Sequence, residues 1–236
     1  MPVTLPKALI FTLFGFLVFA LSAVAQAPAP ILLTPDRLAR IQAGLDNPDS
    51  HYAQAFAQLR ARVDSRDLDL FNRTATNWNY ARSYYAQAAA FVYRVTGDPV
   101  YAEWAFEALY DVHNDIDPDG RLPESGAPAD SAGLSRATVG LGFGLAYNWA
   151  YEAWTAEQRD YIRNRVHVAL NMWLSYSHPN ITQNLRGSNW VAVCRGGELM
   201  MILGIGEQAS RSARVNTLLN DLRTHLLNGH DVIGGT

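Results

Sequence analysis

Asn189 stands where a helix is predicted to begin, directly after Gly187 and Ser188. At such a position the free amide N–H groups and the positive end of the helix dipole face outward, which suits a bound anion. The side-chain amide of Asn189 offers one more donor. The other interpretation is that Ser188 or Asn189 only caps the helix. The sequence leaves both open.

Candidates for ligand binding lie at two places. Trp190 and Arg195 follow Asn189 on the same predicted helix, and a cluster of residues precedes another predicted helix. Trp190 can stack on a ring of a ligand or pack in the core, since tryptophan does both. Arg195 can hold a carboxylate through two parallel hydrogen bonds, or it can be an exposed or structural arginine. The cluster is polar and aromatic and consists of Asn77, Trp78, Asn79 and Tyr80. It can form the rim of a cleft, or it can be an N-terminal cap with a hydrophobic staple.

Proton transfer needs a side chain that can take up and release a proton in the working pH range, and tyrosine and histidine are common choices. Tyr147, Tyr176 and His178 are the candidates by position. Tyr147 has apolar neighbours in a predicted helix, which favours a core role. His178 precedes Pro179 in a predicted loop, where a solvated histidine is the ordinary alternative.

An acidic segment resembles half of a calcium loop. Asp115, Asp117 and Asp119 precede Gly120 with the spacing of an EF-hand, but the twelfth position holds Gly126 instead of the bidentate glutamate. A solvated turn is therefore the default interpretation. No metal and no cofactor are predicted.

Three glycines at alternate positions resemble a glycine-rich nucleotide-binding motif. Gly140, Gly142 and Gly144 follow no predicted strand, so they do not form a dinucleotide-binding loop. We expect them to allow two helices to approach closely.

The first 27 residues have the parts of a secretory signal peptide. Lys7 is the only charge before Asp36, an apolar run extends from Ala8 to Ala23, and small residues lead to a predicted cleavage after Ala25. Residues 1–25 are thus the predicted signal peptide and residues 26–33 a flexible leader. The predicted location is periplasmic or secreted, with no stable membrane insertion after cleavage.

The composition of the 236-residue chain limits the kinds of partner that the protein can bind. The formal net charge is −3, and this mild acidity argues against nucleic acid. An anionic ligand stays possible because a pocket can be locally basic. Cys194 is the single cysteine, so an intrachain disulfide is impossible, and its apolar neighbours predict a buried thiol.

Helical periodicity dominates the remainder, and strand-like alternation is lacking. Thr34-Pro35, Ser50 and Thr155 with Gln158 predict helix starts, whereas Gly97 and Gly206 predict helix ends. The predicted helices cover residues 35–47, 50–63, 82–95, 100–112, 134–154, 155–173, 188–205 and 210–227. Short connections predict antiparallel helical hairpins, and therefore an all-α fold.

Five segments carry a resemblance to a known family: Leu33-Thr34-Pro35-Asp36-Arg37-Leu38, Thr96-Gly97-Asp98-Pro99-Val100-Tyr101, Leu145-Ala146-Tyr147-Asn148-Trp149-Ala150-Tyr151, Thr155-Ala156-Glu157-Gln158-Arg159, and Ser188-Asn189-Trp190-Val191-Ala192-Val193-Cys194-Arg195-Gly196-Gly197. Their order resembles that of heparinase II/III-like polysaccharide lyases and related alginate lyases. The likeness covers most of residues 34–236.

The resemblance implies an incomplete (α/α) toroid over residues 34–236 and cleavage of an anionic, uronate-containing polysaccharide by β-elimination. In that chemistry a donor neutralises the uronate carboxylate, where charge develops in the transition state, and Tyr or His moves the protons. Asn189 takes the neutralising role. The residues that would bind the sugar are Trp190, Arg195, Asn77, Trp78 and Tyr80.

Two departures from the family's pattern are visible. Such lyases continue beyond this length into a segment with a catalytic tyrosine and then β-sandwich modules, so the chain is expected to be truncated after Gly234-Gly235-Thr236. Several alginate-directed relatives have a histidine after the motif asparagine, whereas Trp190 follows Asn189 here.

Two other functions remain open. A glycoside hydrolase on a helical toroid would need two facing carboxylates, for which Glu124, Asp130 and Glu198 are available. A non-catalytic periplasmic glycan-binding module would bind oligosaccharides without forming a product.

Overall fold

The computed structural model describes residues 27–71, 78–114, 132–175 and 189–233, and within them the chain forms helices and no β-strand. The α-helices are α1 Pro35–Leu45, α2 His51–Asp64, α3 Trp78–Thr96, α4 Pro99–Tyr110, α5 Ala132–Ala150, α6 Ala156–Ser175, α7 Asn189–Gly204 and α8 Ser212–Ile233. Short 3-10 helices cover Leu68–Phe71 and Asp111–Asn114. The predicted all-α class is confirmed, and none of the described helices is long and apolar enough to cross a membrane.

Local capping signals fix the helix starts. Thr34 Oγ1 accepts from the amide of Arg37, and Ser50 Oγ accepts from the amide of Ala53. Thr155 and Gln158 form the predicted reciprocal capping box, with distances of 2.9 and 3.2 Å. These helix starts are therefore confirmed.

Three helices lie side by side and run parallel. Ser83 of α3 donates to the carbonyls of Thr138 and Val139 on α5, and further along both helices Phe91 packs against Trp149. In the same way Gly197 and Gly204 of α7 lie against Ala137 and Gly144 of α5. Since the contacts advance in the same direction on both partners, α3, α5 and α7 form a parallel layer.

Glycines allow the helices of this layer to approach closely, as predicted. A Cβ on Gly144 would lie 2.5 Å from the carbonyl oxygen of Met200, and one on Gly140 would lie 2.5 Å from Met201 Sδ. A Cβ on Gly142 would overlap Ser83. Side chains at these positions would push α5 away from both of its neighbours.

Each helix of the layer is followed by a helix that returns antiparallel to it. Only Gly97 and Asp98 separate α3 from α4, and Gly97 takes a positive φ of 74°. Between α7 and α8, Glu198 pairs with Arg214 and Arg195 with Asp221, so the contacts advance in opposite directions. The predicted helical hairpins are thus present, with α3, α5 and α7 as their first members.

Residues 27–33, which the sequence analysis assigns to a leader, lie against α5 in the structure. Asn148 on α5 holds this segment by accepting from the amide of Ile31 and donating to the carbonyl of Ala29, both at 3.0 Å. Trp149 Nε1 donates to the carbonyl of Ile31, and Leu33 is buried. A side-chain amide can pair with an extended backbone in the way that a neighbouring strand would, and here it holds the segment against α5.

Glu207 ties α6 to the turn before α8. It accepts from Arg211 Nε at 2.8 Å and lies 2.6 Å from His167 Nε2. Burial pushes the pKa of Glu207 upward, but the hydrogen bonds from Arg211 and His167 outweigh it, and the pKa falls below its ordinary value of 4.5. The unfolded chain therefore takes up this proton first as the pH falls.

A pH-dependent contribution to stability follows from Glu207. It is complete above about pH 4.5 and is lost as the pH falls from there through the lowered pKa of the folded state. We expect Glu207→Gln to lower the free energy of unfolding by about 1 kcal/mol at pH 7, and by less at pH 3. Urea unfolding of both proteins at several pH values measures this. A difference that stays constant down to pH 3 would contradict the assignment.

Candidate functional site

The three helices of the parallel layer begin at one end of it. Because Ser83 lies opposite Val139, and Ala137 opposite Gly197, the first residues of α3, α5 and α7 lie within about 5 Å of one level along the helix axes. Two segments that carry candidate residues, at the starts of α3 and α7, therefore meet at this end, which we call the helix-start end.

The structure places the backbone of four candidates, Trp78, Tyr80, Asn189 and Trp190, at the helix-start end. Trp78 is the first residue of α3, and Asn189 is the first residue of α7, followed by Trp190. The side chains of these three residues lie outside the described set, as do Asn77 and His178 entirely. Tyr80 is described: it is half-buried and packs against the core.

The arrangement favours an anion. Parallel helices direct their dipoles the same way, so the positive ends of α3, α5 and α7 add at the helix-start end. Each contributes N–H groups that have no acceptor within the helix. An extended ligand with repeated negative charges matches three such ends side by side better than a single small anion does.

Tyr147 lies elsewhere. It is fifteen residues beyond Ala132, or about 22 Å further along α5, so it does not meet Asn189 at the helix-start end. Its side chain is fully buried, and its hydroxyl accepts from Arg163 Nη2 at 2.8 Å. Burial raises the pKa of Tyr147 against the opposing influence of Arg163. Of its two interpretations, the core role is the one that this environment supports.

Arg195 turns toward the returning helix α8. Its Nε lies 2.9 Å from Asp221 Oδ2, and its Nη1 lies 3.7 Å from Glu198. The Nε–H does not point along the short distance to Asp221, so this contact is an ion pair without a hydrogen bond. The side chain is 14 % exposed. These contacts fit the structural interpretation of Arg195, which binds two carboxylates of its own chain.

Glu198 is also committed within the fold. It is 1 % exposed, and Arg214 binds both of its carboxylate oxygens, at 2.6 and 2.7 Å. A carboxylate held in this way is occupied by a partner within the fold and has no path to solvent. Glu124 and Asp130 lie outside the described residues. The hydrolase alternative thus loses one of the three carboxylates that it could use.

A groove beside α3 was not recognised from the sequence. It has a volume of about 530 Å³ and lies between α2, the first 3-10 helix and the exposed side of α3. Tyr84, Phe91 and Trp149 supply aromatic walls, and Arg62 and Gln87 supply polar groups. The spacing of Tyr84, Gln87 and Phe91 by three and four residues is a signal that could have placed them on one helix face.

The groove runs along α3 away from the helix-start end, and its first residue on this helix, Tyr84, lies about 9 Å beyond Trp78. Tyr84 is six residues beyond Trp78, and Phe91 is seven residues further, so the aromatic walls span about 10 Å along the axis. Aromatic faces with a few polar groups are the usual lining of small-molecule sites.

Within the described part of the chain, no group of three or more His, Cys, Asp or Glu side chains is placed to hold a metal ion. Cys194 is buried, as predicted. A comparison with protein families finds none that matches this chain, and a comparison with curated proteins finds no significant match.

Proposed function

We propose that this chain is the glycan-binding toroid part of a polysaccharide lyase that cleaves uronate-containing polysaccharide by β-elimination. The observation that carries the proposal is the alignment of α3, α5 and α7, which brings the starts of α3 and α7 to one end. In this proposal the consecutive hairpins are a segment of an incomplete (α/α) toroid, with α3, α5 and α7 as its inner helices.

The chemistry assigned to the helix-start end is charge neutralisation. The proton next to a uronate carboxylate is hardly acidic until a donor binds that carboxylate, because charge develops there in the transition state. Asn189 and the N–H groups at the start of α7 supply such donors. The aromatic groove beside α3 would hold neighbouring sugar units by stacking against their apolar faces.

The motifs that resemble heparinase II/III-like and alginate lyases supply the class of substrate. They occur in the same order here, and the Asn189 segment opens an inner helix of the proposed toroid. Trp190 would contribute stacking, and Asn77, Trp78 and Tyr80 would form the facing rim of the cleft.

A binding experiment tests the proposal. We expect saturable binding of an alginate oligosaccharide in calorimetry and none of a neutral cello-oligosaccharide of equal length. Asn189→Ala removes one donor to a charged group and should weaken binding roughly tenfold. Asn164→Ala, at an exposed position of α6, is the matched control and should bind as the parent does. Equal affinity for charged and neutral oligosaccharides would contradict the proposal.

The same samples separate a lyase from a non-catalytic glycan-binding module. The second function is favoured by one observation: Tyr147 is buried about 22 Å from the helix-start end. A lyase generates unsaturated chain ends that absorb in the near ultraviolet. The assay uses this chain and a chain extended by the coding sequence downstream of codon 236. Binding without any rise in absorbance from either would favour the module.

A further inference from the structure

A second cavity, separate from the aromatic groove, lies on the other side of α3. It has a volume of about 390 Å³, within the usual range for small-molecule sites. Its walls come from α3, α4 and the 3-10 helix Leu68–Phe71. We call it the α3–α4 cavity. The residues that matter for its chemistry are Arg66, Arg82, Glu103, Trp104, Glu107 and Tyr110.

Most polar groups of the α3–α4 cavity already have partners. Arg66 donates to Glu107, and its guanidinium lies 5.2 Å from the centre of the Trp104 ring. Glu103 Oε2 accepts from Gln158 at 2.9 Å. The hydroxyl of Tyr85 donates to the carbonyl of Val63 at 3.1 Å, and burial raises the pKa of Tyr85 to about 12, so it stays neutral.

Arg82 is the exception. Its Nε is buried and has no hydrogen-bond partner. No carboxylate of the described residues lies within ion-pair distance of it, although three carboxylates line the same cavity. A buried guanidinium N–H without an acceptor costs free energy, and such a group calls for an explanation in a folded protein. A carboxylate from a ligand would supply the missing acceptors, because it matches the fork of a guanidinium.

The remaining walls define the rest of the ligand. Trp104, Phe106 and Tyr110 present aromatic surface, which suits a ring with an apolar face. Glu103 and Asp111 present carboxylate oxygens, which accept from hydroxyl groups. Three carboxylates against two guanidiniums disfavour a phosphate or a polyanion. A ligand with a single carboxylate on a polyhydroxylated ring would pair with Arg82, donate to Glu103 and Asp111, and stack on the aromatic side chains.

We propose that the α3–α4 cavity binds one uronic acid monosaccharide, with its carboxylate on Arg82 and its hydroxyls on Glu103 and Asp111. The sugar identity rests on the proposed function, whereas the carboxylate rests on Arg82 alone. The cavity is thus a second site, separate from the aromatic groove, with Arg82 about one helical turn beyond Trp78 on α3.

The probe is D-glucuronate, with D-glucose as the neutral control, in calorimetric titrations of the whole chain. We expect saturable one-to-one binding of glucuronate and none of glucose. Arg82→Gln should weaken glucuronate binding at least about tenfold, the loss of one charge-assisted interaction. Arg40→Gln makes the same substitution at an exposed position of α1 and should leave the affinity unchanged.

Thermal unfolding of Arg82→Gln distinguishes a binding residue from a structural one. Since Arg82 pairs with no described carboxylate, its removal should leave Tm unchanged or raise it. A clear fall in Tm would show a structural arginine and would overturn the assignment. So would the lack of saturable glucuronate binding by the parent protein, or equal affinity of Arg82→Gln and Arg40→Gln.

Failure of this inference and failure of the proposed function give different results. If the alginate oligosaccharide binds and Asn189→Ala weakens it while glucuronate does not bind, only the α3–α4 cavity assignment falls. If glucuronate binds through Arg82 while the oligosaccharide does not bind, the cavity assignment stands and the proposed function falls.

Discussion

Arg214→Met is expected to lower the free energy of unfolding by about 3–5 kcal/mol, the usual cost of leaving a buried charge without its partner. Glu198 is 1 % exposed, and Arg214 donates to both of its oxygens. The hydrogen bond with Glu198 is the main reason that the pKa of Arg214 rises above its ordinary value, despite its burial. The remaining cation, Arg195 Nη1, is 3.7 Å away and is shared with Asp221, so it cannot replace the lost partner.

Urea unfolding followed by circular dichroism measures this effect. Arg223→Met is the matched control, because Arg223 is exposed on the same helix α8, and surface substitutions usually change stability by less than about 0.5 kcal/mol. The double variant Glu198→Leu/Arg214→Met removes both charges and should recover most of the loss, because no unpaired charge is left buried. Similar stabilities for Arg214→Met and Arg223→Met would contradict the structural role of the pair.

This buried pair also explains why the sequence could not assign Arg195. Arg195 and Glu198 are three residues apart on α7, so the sequence shows that they are neighbours. Their partners Asp221 and Arg214 belong to the returning helix α8, and only the packing of α8 on α7 brings them close. Sequence spacing shows which residues share a helix face and not which neighbour that face meets. An arginine near a predicted binding motif therefore looks the same whether it faces a ligand or the next helix.

Helix existence and helix ends could be predicted because their causes are local. Thr34, Ser50 and Gln158 each bond to the backbone within three residues, and Gly97 and Gly206 take positive φ at the ends of helices. The start of α3 is different. The structure begins this helix at Trp78, four residues before the predicted start at Arg82. An N-terminal cap is one of the two interpretations of the cluster Asn77 to Tyr80, but the sequence leaves it open against a cleft rim.

Placement of the candidate site depended on contacts between distant segments. Asn189 and Trp78 are more than one hundred residues apart, and they lie at one end only because α3 and α7 both run parallel to α5. Tyr147 belongs to the motif at residues 145–151 that resembles the lyases, yet it lies toward the other end of α5. The neighbouring Asn148 and Trp149 hold residues 29 and 31. The order of motifs along a chain carries no information about such distances.

Two adjacent glycines of α7 offer the sharpest test of the parallel layer. A Cβ on Gly197 would lie 2.6 Å from the carbonyl oxygen of Ala137 and 2.8 Å from its Cα, whereas a Cβ on Gly196 would meet no described atom within 4 Å. Alanine is favoured over glycine inside a helix by about 1 kcal/mol. We therefore expect Gly196→Ala to raise the free energy of unfolding by up to that amount.

Gly197→Ala has the same helix-propensity gain, but it forces the backbones of α5 and α7 apart. Overpacking usually costs about 1–3 kcal/mol and more where the obstacle is backbone, so Gly197→Ala should be less stable than the parent protein. Because the propensity gain is common to both, the two variants should differ by the overpacking cost alone, about 1–3 kcal/mol or more, and in the sign of their effect. Urea unfolding of both measures it. Equal stabilities would mean that α7 does not lie against α5 at Ala137. The common level of the helix starts, on which the placement of Asn189 beside α3 depends, would then be lost.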